Sequence, residues 1–134
     1  MEQRDYLLSQ IDQLGLFIDK WLSAFKNIEN STQREGAILS FNAELQKKLN
    51  LDLSSILMKT EDQLIEAIET NKLSNEMIEK LSDALSSIAY SYLNSIDRNQ
   101  LNTICLLLYR YINEHDATYS LERDMKIERI NHSI

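Results

Sequence analysis

Proline is missing from this 134-residue sequence, and glycine occurs only at Gly15 and Gly36. Sheet domains reverse their chain through turns that recruit Gly, Pro or Asn-Gly, so the scarcity leaves a sheet fold without its usual turns. It also leaves no glycine-rich phosphate loop and no nucleophile elbow, because the two glycines stand far apart. There is one cysteine, Cys105, set in the apolar run Ile104–Tyr109. A lone thiol in such a run forms no disulfide and reads as a small buried hydrophobe, which fits a reducing, cytoplasmic setting. That run is the longest apolar stretch, far short of the ~20 residues that a membrane span needs. The opening residues MEQRDYLL lack the basic and apolar regions of a secretory signal.

A basic stripe is lacking as well. Net charge is −7, and −5 of it falls within residues 61–96, where seven acids face two bases. Nucleic-acid binding draws its affinity from Lys and Arg neutralising phosphates, so neither nucleic acid nor an anionic membrane suits this chain as a partner. The acidic 61–83 region favours a basic one.

What is present is helical periodicity. Leu7, Ile11, Leu14, Ile18, Trp21 and Phe25 alternate spacings of four and three over a helix expected from Gln3 to Ile28, with Leu8, Phe17 and Leu22 widening the stripe. Thr32 and Glu35 read as a capping box opening a second helix with Ile38, Phe41, Leu45 and Leu49 inward. Asp52 caps a short helix over 54–58, and Thr60 with Gln63 opens another bearing Leu64, Ile65 and Ile68. Ser74 or Asn75 caps a long helix with Ile78, Leu81, Leu85, Ile88 and Tyr92 inward. Its small residues, Ser82, Ala84, Ser86, Ser87 and Ala89, permit close approach of a neighbour. Asp97 is expected to cap a helix carrying Leu101, Ile104, Cys105, Leu108 and Ile112. A charged last helix spans Thr118 to Ile130. The expected fold is all-α: one domain over residues 1–134, an antiparallel helical bundle or set of tetratricopeptide-like hairpins, with about five long helices and one short.

The segments Arg4-Asp5-Tyr6-Leu7-Leu8, Ile11-Asp12-Gln13-Leu14, Leu49-Asn50-Leu51-Asp52, Thr60-Glu61-Asp62-Gln63-Leu64 and Ile78 through Leu85 together resemble an uncharacterised family of all-helical bacterial proteins, a domain of unknown function. The likeness spans nearly the whole chain. Its positions are caps and core residues, so it implies a helical fold, with tetratricopeptide-like hairpins towards the C-terminal half, and no activity. Ala84, Ile88 and Ser91 could fill the small-large-small pattern of such a repeat, although its terminal proline is absent.

Residues able to carry chemistry are few. His115-Asp116 is similar to the His-Asp pair of metal-dependent phosphohydrolases, but the one other histidine is His132, and His115 suits a helix C-terminus as it stands. Glu61, Asp62, Glu66 and Glu69 read as a solvated helix face rather than paired catalytic carboxylates. Tyr90, Tyr92, Tyr109, Tyr111 and Tyr119 are enough to line a groove, or else to edge a core with their hydroxyls in water. No catalytic, metal or cofactor site is expected, and the chain does not read as an enzyme. The sequence points to a protein-interaction module that forms a homodimer or binds another protein through Leu7, Ile11, Leu14, Ile18, Trp21 and Phe25. The competing reading is a small ligand-binding bundle or enzyme with a tyrosine-lined pocket between helices.

Overall fold

The computed structural model describes the backbone of residues 2–91 and 95–133 and the side chains of residues 10–91 and 96–133. Among these residues there are seven helices and no strand: α1 (Glu2–Phe25), α2 (Ser31–Leu49), α3 (Leu53–Met58), α4 (Glu61–Thr70), α5 (Asn75–Ser91), α6 (Ser95–His115) and α7 (Leu121–Ser133). The fold is the all-helical bundle that the missing turn residues call for. Each matches one of the helical segments read from the sequence, and α4 closes after ten residues. Its last carbonyls accept from the amides of Asn71 and Lys72, the latter in the left-handed region at φ 53°. No described helix is long and apolar enough to cross a membrane. The chain divides into two compact units, Met1–Leu73 and Ser74–Ile134.

In the first unit α1 packs on α2. Leu14, Ile18, Phe41 and Leu45 are wholly buried, each worth roughly 2–3 kcal/mol in surface withdrawn from water. Trp21 stacks on Phe25 with ring centroids 4.5 Å apart and tilts against Phe41 at 4.9 Å. Its indole Nε1–H donates to the Ala37 carbonyl at 2.8 Å, which satisfies the one polar atom of a buried ring. The α2 cap differs from expectation. Asn30, in an extended conformation, accepts through Oδ1 from the amides of Thr32 and Gln33, so Thr32 and Glu35 form no box. The capping box of Thr60 and Gln63 does form at α4, with both reciprocal bonds made, and Asp52 caps α3 through the Ser55 amide.

In the second unit α5 and α6 make a helical hairpin. Ser82, Ala84, Ser86 and Ala89 are buried on α5, and the Cys105 thiol reaches the Ser82 carbonyl at 3.6 Å, a separation that small side chains make possible. Ser74 caps α5 by accepting from the Met77 amide. The Asp97 cap is not found: α6 starts at Ser95, so Asp97 lies in the first turn, where its charge favours the helix dipole. Likewise α7 starts at Leu121 rather than Thr118, with Ser120 Oγ accepting from the Arg123 amide. The α7 helix packs on α6.

Candidate functional site

The interface expected on α1 is occupied by the chain itself. Leu14, Ile18, Trp21 and Phe25 are buried within the first unit, Ile11 is half-buried, and the Leu7 side chain lies outside the described residues, as do Leu8 and Tyr92. Phe17 and Leu22, which widen the stripe, are half-buried too. Glu61, Asp62, Glu66 and Glu69 are all exposed, as a solvated face should be.

His115 and Asp116 diverge. The His115 ring stacks on Tyr111 at 4.0 Å, with Nδ1 2.8 Å from the Tyr111 carbonyl, while Asp116 turns towards Arg123. No described group of His, Cys, Asp and Glu could hold a metal ion. Nor do the described tyrosines line a common groove. Tyr90 and Tyr119 are exposed, and Tyr109 is 1% exposed, contrary to its expected place at the core edge with a wet hydroxyl.

Tyr109 is buried because its hydroxyl has a partner inside: Oη donates to Asp83 Oδ1 at 2.5 Å. Asp83 is one corner of a charged network joining the three helices of the second unit. Glu79 and Asp83, four residues apart on α5, project from one face of that helix. From α7 come Arg123 and Lys126, three apart. Arg123 Nε donates to Glu79 Oε1 at 2.9 Å and Nη1 to Asn113 Oδ1 at 2.9 Å, while Nη2 stands 3.8 Å from Asp116 Oδ2. Lys126 Nζ donates to Glu79 Oε2 at 3.0 Å and lies 3.0 Å and 3.2 Å from the two Asp83 oxygens, with the Tyr109 ring centroid 5.8 Å away. The Arg123 side chain is only 8% exposed. A guanidinium withdrawn this far from water costs free energy unless its donors are met, and three acceptors surround it.

The ionisation of these groups follows from the packing. Burial pushes the Glu79 carboxyl up, but the bonds and charges of Lys126 and Arg123 outweigh it and hold the group below its ordinary value. Burial likewise works against the Lys126 ammonium, and Asp83 and Glu79 more than restore it, so its pKa is raised. Tyr109 is pushed up by burial and then by Asp83, and Cys105 by burial and then by the same carboxylate. Both stay protonated, which leaves Cys105 without the thiolate that nucleophilic or metal chemistry needs.

Beside the network is a surface cavity of about 400 Å³ lined by Asn75, Glu76, Glu79, Lys80, Asp83, Asp116 and Arg123. A second, of about 270 Å³, is lined by Tyr90, Arg98, Asn102 and Ser133. Neither gathers several tyrosines.

Sequence reasoning missed this network, although a signal for it exists. Arg123, Lys126 and Ile130 fall at i, i+3 and i+7, and Ile130 is buried, so the two cations share the inward phase of α7. The outward phase carries Leu121 and Met125, 63% and 61% exposed, beside Tyr119 at 73%. The first two turns of α7 thus turn charge inward at Arg123 and Lys126, beside the half-buried Ile127, and expose apolar side chains at Leu121 and Met125 beside the charged Glu122.

Comparison with protein-family models, with curated proteins and with solved structures gave no match.

Proposed function

We propose that the protein is a helical protein-interaction module that self-associates, and that α7 rather than α1 carries the contact. The observation behind this reading is the exposure of large apolar side chains at the start of α7. Tyr119, Leu121 and Met125, within seven residues of chain, stand in water while Arg123 and Lys126 take inward positions, and exposed large apolar side chains seek cover. The seam of α1 is a weaker candidate, because Leu14, Ile18, Trp21 and Phe25 would have to leave the packing of their own unit to meet a second copy. The reading calls for no cofactor and no catalytic step. In its favour, Glu79 and Asp83 pair with Arg123 and Lys126 rather than standing as free carboxylates.

Light scattering on a size-exclusion column, over rising protein concentration, tests it. The wild type should gain mass with concentration, and Leu121→Glu with Met125→Glu should remain monomeric. These two positions are exposed, so the double variant keeps its helices, which circular dichroism checks. Equal association of variant and wild type would remove α7 from the contact.

A further inference from the structure

We propose that α7 is an exchangeable strap: it docks in the α5–α6 groove of its own chain or in the same groove of a second copy, so that two chains associate by swapping their last helices. The proposal rests on the self-association reading above and supplies its geometry.

Three observations carry it. First, the groove and the strap are matched by charge. Glu79 and Asp83 on α5, with Asp116 at the end of α6, face Arg123 and Lys126 of α7, and Asn113 and Tyr109 complete the set with one acceptor and one donor. The helix that fits this groove best is therefore one with cations three residues apart and an apolar residue four further on, and α7 of a second copy has that pattern by identity. The area beneath the strap does not change on exchange, because every strap-to-groove contact is made again between copies.

Second, the connection can open. Residues 116–120, Asp-Ala-Thr-Tyr-Ser, contain neither glycine nor proline. The reversal is held by side chains instead, with Asp116 Oδ1 accepting from the Thr118 amide at 3.0 Å and Ser120 Oγ from the Arg123 amide at 3.2 Å. Nothing in these five residues forbids an α-helix. If they adopt one, α6 and α7 become a single rod over 95–133 and α7 points away from its own hairpin. The two capping bonds are then replaced by intrahelical ones.

Third, the exposed apolar residues flank this hinge. Tyr119 lies within it, and Leu121 and Met125 occupy the first two turns after it. In an exchanged pair the two opened hinges lie where the chains cross, which is where new contact between copies forms. The closed form leaves these side chains in water, and the exchanged form places them at that crossing.

The test is a charge-reversal complementation with full-length chains. One variant carries Arg123→Glu and Lys126→Glu, the other Glu79→Lys and Asp83→Lys. Each has a strap that its own groove repels, and each homodimer repeats the mismatch. In the mixed pair both straps meet a groove of opposite sign. Mixing should therefore yield a heterodimer of twice the 15.6 kDa chain mass in native mass spectrometry, with a higher melting temperature than either variant alone. Two monomers at unchanged melting temperatures after mixing would overturn the exchange. If the single variants do not fold, they are unfolded and refolded together. A folded heterodimer then supports the proposal, and aggregates alone overturn it. The wild type run beside them separates the two readings. A wild type that associates while the variants do not complement keeps the self-association and discards the strap exchange. Complementation with a wild type that stays monomeric shows that the groove accepts a strap in trans and discards the self-association.

Discussion

Arg123 is the residue on which the second unit turns, because it is the most deeply buried charge in the network and its donors reach Glu79 on α5, Asn113 on α6 and Asp116 just past α6. Such a group stabilises the fold less than its contacts suggest, since desolvation offsets the attraction. Removing its partner is costlier than removing the charge itself. Glu79→Ala leaves the buried Nε without an acceptor and should cost about 3 kcal/mol, whereas Arg123→Met fills the space without a charge and should cost ~1 kcal/mol or less. Urea unfolding of both variants decides the order, and an equal or larger loss for Arg123→Met would mean that the ion pairs are net stabilising. Tyr109→Phe keeps the ring and loses the bond to Asp83, so a loss of ~1.5–3 kcal/mol is expected, below the ~3–5 kcal/mol of Tyr109→Ala, which also opens a cavity.

At the scale of elements, the helices that could be read were those whose apolar residues keep a strict phase. In α1 the positions Leu14, Ile18, Trp21 and Phe25 are all buried, and the periodicity of α2 and α5 is matched by Phe41, Leu45 and Leu49 and by Ile78, Leu81, Leu85 and Ile88. What periodicity does not state is who covers the stripe. The seam of α1 looks the same whether the cover is α2 or a second chain, and only the fold assigns it to the first unit. Caps were legible where one residue competes, as at Asp52 and Thr60, and misread where several do. Asn30 stands two residues before Thr32, and its side chain reaches the first amides sooner. The charged network escaped notice because Arg and Lys are assigned to solvent by default. The assignment of the α1 seam to the core carries its own prediction. Leu14→Glu buries a carboxylate at a wholly enclosed site and should cost about 4 kcal/mol or more, unfolding the first unit. Trp21, the only tryptophan, reports that loss directly as a red shift in emission at neutral pH. Native Trp21 emission in a chain that has merely become monomeric would restore α1 as an interface.

For the molecule as a whole, acid separates two effects that are merged at neutral pH. The chain carries −7 at pH 7 and reaches zero near pH 4.8, so the repulsion that keeps copies apart fades across this interval. The pair that Glu79 makes with Lys126 does not fade with it. Glu79 is held below its ordinary value of 4.5, so its contribution is complete above the value it has in the unfolded chain and is lost only as pH falls through the lowered folded one. Lys126 is raised, so its contribution disappears at the alkaline end, above its ordinary 10.5. Between pH 7 and pH 4.8, then, the charges that oppose association are removed while Glu79, which bonds both Arg123 and Lys126 of α7, keeps its charge. Light scattering should rise as pH 4.8 is approached with the far-ultraviolet helical signal intact. Amide hydrogen exchange, corrected for the intrinsic pH dependence of the exchange chemistry, should keep α7 protected there and release it only at lower pH, where Glu79 takes up its proton. Loss of α7 protection at or above the pH at which scattering begins would mean that the helix is not held by these pairs. The same experiment in high salt shifts the outcome in a known direction: screening weakens the Lys126 bonds, whose cation is 22% exposed, more than the buried Arg123 ones, so the C-terminal turns of α7 should exchange before those at Arg123.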